Sequence, residues 1–347
     1  MLSMAVAAEP VTVFESGDGG YHTYRIPAVV RTVAGELLAF AEGRKDSAAD
    51  HGDIDLVLRR SEDGGKTWGE MRVVAEEGGE AKIAIGNPAP VVDRRSGTVH
   101  LLFCRNNDRV FHLSSADGGR SWSERREITA EVKREAWGWY ATGPGHGIQL
   151  ERGAQAGRLV VACDYRLGSG GRDAGPNGAH AVISDDGGRT WRIGATADAA
   201  DGVNPNETSC VELAPRDGNS VLHFNTRDQH GPATGTRAVA LSTDGGESFR
   251  GGKFVAAPEF ECPVVQGSLL RVGDRIWFSC PNHPSKRERL SLWWSEDGAT
   301  TWNGPDERIA GPAAYSDLVE LGGGALGVLA ECGDAGAYER IVFLEVR

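Results

Sequence analysis

The sequence predicts an all-β fold, a six-bladed β-propeller of four-stranded antiparallel blades. Three observations support this prediction: a short phrase returns five times, its spacing suits one blade, and a strand-like apolar run precedes every copy. The copies occupy residues 61–68, 115–122, 184–191, 242–249 and 295–302. Self-similarity at a regular interval is typical of a repeat architecture, in which each copy marks one structural unit.

Each copy has the chemistry of a tight turn between antiparallel strands. The pattern is Ser-x-Asp-Gly-Gly-x-Ser/Thr-Trp, except that the fourth copy ends in Phe249 and the fifth has Ala299 in place of a glycine. Asp-Gly-Gly supplies the positive φ angles that such turns require. The closing aromatic side chain offers a large apolar surface to a neighbouring sheet. We therefore interpret the copies as structural turns.

The spacing of the copies predicts the number of blades. The first and last serines, Ser61 and Ser295, lie 234 residues apart over four intervals, a mean of 58.5, so 347 residues hold 5.9 units. Four strands of about five or six residues, with their loops, fill such a unit. We predict six blades, the sixth lacking the phrase and combining strands from both ends of the chain. Residues 11–347 would form a single domain, and residues 1–10 a disordered start or the remnant of a secretion signal.

Composition excludes several classes of function. The formal net charge of −12 disfavours nucleic acid or an anionic membrane surface as a partner. No apolar stretch has the length of a membrane span. The six cysteines form no Cys-x-x-Cys pair and no zinc spacing, which leaves their pairing open. There is no metal-binding motif and no nucleotide-binding loop, so we expect no metal and no cofactor.

Some polar residues are not explained by the repeat. Arg25 lies in the strand-like segment Tyr-Arg-Ile-Pro, Arg227 follows the run 222–226, and Glu331 ends the apolar run 325–330. Arg287 lies in a basic stretch at 286–289. Arginine and glutamate are almost never fully buried unless they are paired. Because propeller strands converge on a central channel, we expect these side chains to face one cavity.

On these residues the chain resembles the sialidases (neuraminidases), particularly the secreted bacterial type. The resemblance covers essentially the whole length and rests on residues 24–27, on the five phrases, which match the family's Asp boxes, and on polar residues in the family's order. It implies an exo-α-sialidase whose single catalytic propeller domain hydrolyses terminal α-linked sialic acid with retention. Its expected partners are sialylated glycans, and a monomer that is secreted or periplasmic is favoured over a cytoplasmic one.

The resemblance also assigns the residues that bind substrate. Arg25, Arg227 and Arg287 match the three arginines that clamp the sialic acid carboxylate, with Arg289 as the alternative to Arg287. An arginine stays charged, and its planar fork binds a carboxylate bidentately. Glu331 resembles the glutamate that braces the first arginine. Arg44 resembles an arginine near the hydroxyl groups of the sugar.

Three further residues match the catalytic positions of the family. Tyr315 matches the nucleophile, and a neutral phenol avoids the repulsion that a carboxylate would meet at a carbon already bearing one. A phenol with a pKa of about 10 needs an adjacent base. Glu207 matches that base, with Glu212 as its competitor. Asp50 matches the general acid/base, and the alternatives in the same loop are Asp46 and Asp53.

The aromatic, glycine-rich segment 137–148 fits either a rim beside the sugar pocket or an aromatic cluster between blades. His51, His146 and His283 are further candidates for contact with the site. Three rival functions also fit the residues: hydrolysis of a related ulosonic acid such as deaminated sialic acid, sialyl transfer to an acceptor, and binding of sialylated glycans without cleavage.

Overall fold

The structure, a computed structural model, describes residues 9–78, 81–168, 175–229 and 237–346, and the regular secondary structure of these residues is almost entirely β-strand. The predicted start at residues 1–10 lies outside this part of the chain except for its last two residues. The first twelve strands are β1 (Val11–Glu15), β2 (Thr23–Arg31), β3 (Leu37–Arg44), β4 (Ile54–Ser61), β5 (Arg72–Ala75), β6 (Ile85–Val92), β7 (Val99–Arg105), β8 (Arg109–Ser115), β9 (Arg126–Glu127), β10 (Trp137–Thr142), β11 (Ile148–Gln149) and β12 (Leu159–Leu167). The others are β13 (Asn177–Ser184), β14 (Arg192–Asp198), β15 (Pro205–Glu212), β16 (Leu222–Asp228), β17 (Arg237–Ser242), β18 (Val255–Ala257), β19 (Ser268–Val272), β20 (Arg275–Pro281), β21 (Glu288–Ser295), β22 (Asn303–Gly322), β23 (Ala325–Cys332) and β24 (Arg340–Val346). One helical turn, α1 (Thr129–Val132), and a 3₁₀ turn (Arg250–Gly252) interrupt them.

The strands form the four-stranded antiparallel sheets of a β-propeller. In the described residues these are β2-β3-β4-β5, β6-β7-β8-β9, β10-β12-β13-β14 with β11 added beside β12, and β15-β16-β17-β18. A seven-stranded sheet has the order β1-β24-β23-β22-β21-β20-β19. The predicted all-β propeller of four-stranded sheets is thus confirmed.

The seven-stranded sheet is continuous because one strand serves both of its halves. The 20-residue strand β22 pairs with β21 through Asn303 to Pro312 and with β23 through Ala313 to Gly322. The N-terminal strand β1 pairs with the C-terminal strand β24. Both ends of the described chain therefore meet in one sheet.

The recurring phrase forms the turn between the third and fourth strands of each unit. In the first copy Ser61 Oγ donates to Asp63 Oδ1 at 2.8 Å and accepts from the Gly65 N–H at 2.8 Å. The backbone N–H and the hydroxyl of Thr67 donate to the two Asp63 oxygens at 2.9 and 2.6 Å. The hydrogen bonds from Thr67 lower the pKa of Asp63 to about 2. The other four copies repeat this pattern around Asp117, Asp186, Asp244 and Asp297.

The turns also join neighbouring sheets. Trp68 meets Phe343 of β24 with ring centroids 5.5 Å apart, and Trp122 meets Phe40 of β3 at 5.9 Å. A Cβ added at Gly65, whose φ is +90°, would lie 2.1 Å from the Phe343 ring, so only glycine fits there. The interpretation of the phrases as structural turns agrees with these contacts.

The hydrophobic core consists of clusters between neighbouring sheets. One cluster joins Phe14 of β1 and Phe343 of β24 to Val29 of β2, and another joins Phe40 of β3 to Phe103 of β7. In the described residues six such clusters occur, and each lies between two successive groups of strands. The core is therefore distributed around the ring of sheets.

A buried carboxylate fixes the strands nearest the centre. Asp317 of β22 is fully buried and accepts hydrogen bonds from the Val29 N–H at 2.8 Å, from Ser268 Oγ at 2.7 Å and from the His146 N–H at 3.1 Å. It also pairs with His146 Nδ1 at 2.7 Å. Burial lowers the pKa of His146, but the Asp317 carboxylate outweighs it and raises the pKa above its ordinary value. One side chain thus holds three segments of the chain in place around β22.

The six cysteines, whose pairing the sequence leaves open, are free thiols in buried positions (Cys104, Cys163, Cys210, Cys262, Cys280 and Cys332). No helix within the described ranges is long and apolar enough to cross a membrane.

Candidate active site

Three of the predicted site residues lie at β-bulges, where the pairing register of their strands shifts. The pairing register shifts between Arg25 and Ala28 in β2, between Pro205 and Thr208 in β15, and between Ala313 and Ser316 in β22. A β-bulge inserts an extra residue and re-aims the side chains around it, often beside an active site. The bulges allow Arg25, Glu207 and Tyr315 to converge from three different sheets.

Glu331 holds the first arginine and the backbone on either side of it. Its fully buried carboxylate accepts from Arg25 Nε at 2.8 Å, from the Ile26 N–H at 2.8 Å and from the Tyr315 N–H at 3.2 Å. Burial lowers the pKa of Arg25, and Glu331 more than compensates, so the pKa is raised and the guanidinium stays charged. Ile26 has a φ of +57°, which aims its N–H at this carboxylate. The geometry suits the bracing role that the resemblance implies for Glu331.

Tyr315, Glu207 and Arg227 form one hydrogen-bonded group. The Tyr315 hydroxyl donates to Glu207 Oε1 in a short bond. Arg227 Nη1 donates to Glu207 Oε2 at 2.7 Å and to Tyr315 Oη at 3.0 Å. Burial and the Glu207 carboxylate raise the pKa of Tyr315, while Arg227, Arg287 and Arg25 oppose the rise. The phenol is therefore held neutral, with its hydroxyl in contact with a carboxylate.

Glu212, the alternative to Glu207 as the base, lies at the C-terminal end of strand β15. Both oxygens of the Glu212 carboxylate accept backbone N–H groups, from Glu151 at 2.9 Å and from Arg152 at 3.0 Å. The side chain borders a cavity of about 350 Å³ that Arg271 and His146 also line. This cavity holds none of the predicted catalytic residues, so Glu212 and the cavity are separate from the group around Tyr315.

Of the two candidates for the third arginine, Arg287 joins the group. Its Cζ atom lies 5.4 Å from the centre of the Tyr315 ring, close to the 5.2 Å found for Arg25. Arg287 Nη1 donates to the Tyr338 hydroxyl at 2.6 Å and Nη2 donates to the Val264 carbonyl at 3.0 Å. Arg289 instead pairs with Glu307 at 2.9 Å, with nearly half of its side chain exposed.

Asp50 contacts two arginines of the site from an exposed position. Arg44 Nη1 donates to Asp50 Oδ1 at 2.7 Å, and Arg25 Nη1 lies 4.0 Å from the same oxygen. The Asp50 side chain is 84% exposed. Desolvation by neighbouring side chains raises the pKa of Asp50, but Arg44 and then Arg25 outweigh it, so the pKa is lowered.

The two alternative aspartates face other partners. Asp46 lies 4.0 Å from Lys82 Nζ, and Asp53 pairs with Lys45 at 3.0 Å. In the described residues Asp50 is therefore the aspartate of this loop that contacts the site arginines.

Arg44 is itself fixed by a residue that sequence reasoning missed. Arg44 donates to Glu42 Oε2 from Nε at 3.0 Å and from Nη2 at 2.6 Å, while Glu42 Oε1 accepts the Asn87 N–H at 2.8 Å. Glu42 ends the apolar run 37–41 as Glu331 ends its own run, so the same signal could have identified it. A second missed residue is Asp164, which is fully buried and accepts from Asn206 Nδ2 at 2.6 Å beside Glu207.

Trp137 and Tyr140 of the aromatic segment 137–148 belong to the hydrophobic cluster between their own sheet and the sheet of β6 to β9. Trp137 stacks on Tyr165 with ring centroids 3.9 Å apart, and the Tyr140 hydroxyl bonds His180 Nε2 at 2.9 Å. Trp139 is half-buried, with the Arg166 guanidinium 4.6 Å from its ring. For Trp137 and Tyr140 the packing interpretation holds.

The three candidate histidines have other environments. His146 pairs with Asp317, His283 accepts the Ser285 and Lys286 N–H groups at 3.1 and 2.9 Å, and His51 is exposed. Among the residues that the structure describes, no group of three or more His, Cys, Asp or Glu side chains could hold a metal ion.

Comparisons with known proteins agree with this arrangement. Residues 35–328 match the family described as BNR repeat-like domain. A sialidase of Micromonospora viridifaciens is 34% identical over 93% of this chain, and human Sialidase-3 is 30% identical over 95% of it. The solved structure of the Hadza microbial sialidase Hz136 superposes with a TM-score of 0.80 at 25% identity, covering 99% of this chain and 70% of that one.

The relatives differ in how much of their own length is matched. The chain spans 52% of the Micromonospora protein and 90% of human Sialidase-3. Because the family match covers most of the chain, and one relative at 30% identity is matched almost from end to end, the chain belongs to the sialidase family.

Proposed function

We propose that this chain is an exo-α-sialidase that hydrolyses terminal α-linked sialic acid with retention through a tyrosyl-enzyme intermediate. The observation that carries the proposal is the contact between Tyr315 and Glu207, with the guanidinium groups of Arg25, Arg227 and Arg287 around them. A tyrosine nucleophile is known among glycosidases as the solution of sialidases. A non-catalytic binding propeller has no need of a phenol in contact with a base.

The three arginines form the carboxylate clamp of the proposed site. Arg25 and Arg227 are balanced by Glu331 and Glu207, whereas Arg287 makes hydrogen bonds to neutral oxygens within the described residues. A bound sialic acid carboxylate would supply the anion that this arrangement lacks. Its binding would orient the anomeric carbon toward Tyr315 Oη before any bond changes.

In the first chemical step the Tyr315 oxygen bonds to the anomeric carbon as the glycosidic C–O bond breaks. Glu207 takes the phenolic proton, and the Asp50 carboxyl gives its proton to the departing oxygen. In the second step Asp50 takes a proton from water, and the water oxygen bonds to the anomeric carbon as the bond between that carbon and the Tyr315 oxygen breaks. The proton on Glu207 then returns to the phenolate oxygen of Tyr315. Each proton transfer by a positioned side chain contributes about 10²–10⁴-fold to the rate.

Substrate binding would also prepare Asp50 for its first role. In the free protein the arginines lower the pKa of Asp50, which favours the ionised form. A substrate carboxylate on Arg25 offsets part of that positive charge, so the pKa of Asp50 rises on binding. The clamp would thus couple binding to protonation of the acid.

The same proposal includes a closed ring of six blades in residues 11–347 as one catalytic domain. The seven-stranded sheet contains two sets of four strands that share β22, namely β19 to β22 and β22 to β24 with β1. The six hydrophobic clusters link successive sets around the ring, and the cluster containing Phe14 and Val29 joins the last set to the first. Together with the four other sheets, these two sets support our proposal of six blades.

The proposal is tested by incubating the protein with a fluorogenic aryl sialoside. We expect release of the fluorophore, competitive inhibition by 2,3-dehydrated sialic acid, and the α anomer as the first product seen by proton NMR. A β anomer would reject retention, and no cleavage by folded protein would reject the function. Parallel reactions with a deaminated aryl glycoside and with added lactose separate the ulosonic acid and transfer alternatives.

A further inference from the structure

Tyr338 lies beside the clamp on a segment that is held in place by its own hydrogen bonds. It belongs to the connection between β23 and β24, where the Glu339 carboxylate accepts three backbone N–H groups at 2.8 to 2.9 Å. Ser16 Oγ donates to the Tyr338 carbonyl at 2.8 Å. The backbone that carries the ring is therefore fixed without any contribution from a ligand.

The Tyr338 side chain touches two of the three clamp arginines. The Arg25 Cζ atom lies 3.9 Å from the centre of its ring, and Arg287 Nη1 donates to its hydroxyl oxygen at 2.6 Å. The same two guanidinium groups lie 5.2 and 5.4 Å from the ring of Tyr315. The two tyrosines thus border the same pair of cations.

The bond from Arg287 leaves the phenolic proton of Tyr338 available. Because the oxygen accepts from Arg287, its own O–H needs another acceptor, and the hydrogen bonds among the described residues provide none. Arg287 itself has no carboxylate partner in that part of the chain. The phenol O–H of Tyr338 and an N–H of the neighbouring Arg287 can both donate a hydrogen bond to the same carboxylate oxygen, and the positive charge of Arg287 strengthens that interaction.

We propose that Tyr338 binds substrate as a fourth donor to the sialic acid carboxylate, through the oxygen that Arg287 also binds. This inference rests on the proposed function and deepens it. Tyr338 takes no part in proton transfer, because no carboxylate base contacts its hydroxyl among the described residues. Its effect is on binding, in the ground state and the transition state alike.

The test is Tyr338→Phe, which keeps the ring over Arg25 and removes the hydroxyl. We expect KM for the aryl sialoside and Ki for 2,3-dehydrated sialic acid each to rise about 10-fold, a loss of about 1.4 kcal/mol of binding. We expect kcat to stay within about twofold, because a contact made equally in both states changes KM alone. Thermal unfolding of the variant verifies that the fold is intact.

Tyr24→Phe is the matched control. It removes a buried hydroxyl that donates to the Asp18 carbonyl at 2.9 Å, one residue from Arg25 and outside the site, and should leave Ki unchanged. A Ki for Tyr338→Phe that stays near the wild-type value, or a fall in kcat with Ki unchanged, would overturn the proposal. Wild-type protein that does not cleave the sialoside would reject the proposed function instead, so the two failures are distinguishable.

Discussion

Tyr315 donates its phenolic hydrogen bond to Glu207, although 108 residues separate the two in the chain. They come from strands β22 and β15 of different sheets, and each lies at a break in strand register. Arg227 donates hydrogen bonds both to the other carboxylate oxygen of Glu207 and to the phenol oxygen of Tyr315. The arrangement holds the phenol neutral and in contact with the Glu207 carboxylate.

Glu207→Gln should remove the proposed base while keeping a side chain of nearly the same size and shape that can still form hydrogen bonds. We expect kcat to fall by about 10²–10⁴-fold with a smaller change in KM, since the proton of Tyr315 has no acceptor. Glu212→Gln, on the same strand and buried, is the control: it should reduce stability and leave kcat near wild type. Equal losses of kcat in both variants would mean that Glu207 has no special role.

Comparing Arg287→Lys with Arg289→Lys tests which of the two residues is the third arginine of the proposed clamp. Arg287→Lys loses the planar fork beside Tyr315, and hydrogen bonds to charged groups contribute about 1.5–3 kcal/mol, so kcat/KM should fall about 10- to 150-fold. Arg289→Lys changes only a pair with Glu307 near the surface and should stay within about twofold. The reverse order would assign the clamp to Arg289.

The loss of activity in Asp50→Asn should depend on the leaving group of the substrate. A sialyl-lactose substrate needs a proton on its departing oxygen, so we expect a large loss of kcat/KM for it and a small loss for an activated aryl sialoside. Asp46→Asn, in the same loop but facing Lys82, should affect neither substrate. If the two substrates lost activity equally in Asp50→Asn, the role of general acid would be wrong.

Stability should fall in mild acid because several buried histidines are held neutral. Burial lowers the pKa of His112 and His180 to about 3 and that of His223 to about 4. In the unfolded chain each histidine has a pKa of about 6.5. Between its lowered pKa and about pH 6.5, the unfolded state therefore binds more protons than the folded state. Stability from this source is complete above pH 6.5 and lost as the pH falls, by roughly 1 kcal/mol per pH unit for each histidine.

Urea unfolding between pH 7.5 and 5 measures this loss. His223→Gln should flatten the slope, whereas a urea midpoint independent of pH would contradict the assignment. His146 acts in the opposite sense, because Asp317 raises its pKa: its contribution is present at low pH and lost as the pH rises through the raised value.

The architecture could be predicted because its signal is repeated. Each copy of the recurring phrase carries the whole turn in eight residues, and the hydrogen bonds of Asp63 and Ser61 are local. The continuity of β22 could not be predicted in the same way. Pairing passes from β21 to β23 between Pro312 and Ala313, directly after the dipeptide Gly311-Pro312, which ordinarily marks a turn and not the middle of a strand.

The choice between Arg287 and Arg289 shows what strand patterns cannot provide. In a regular strand, residues two apart share a face, so both arginines would point the same way. Arg289 has a φ of +63°, and the register shifts on either side of Leu290, which turns its side chain outward. Tyr338 was missed for another reason, since it lies in a short loop of small residues where no periodicity applies.

The most direct measurement of the mechanism is mass spectrometry of protein treated with an activated 3-fluorinated sialosyl fluoride, which slows release of the glycosylated enzyme. We predict one added sugar on the peptide that contains Tyr315 and none in Tyr315→Phe. An adduct on Glu207, or rapid turnover of sialosides by Tyr315→Phe, would contradict a phenolic nucleophile.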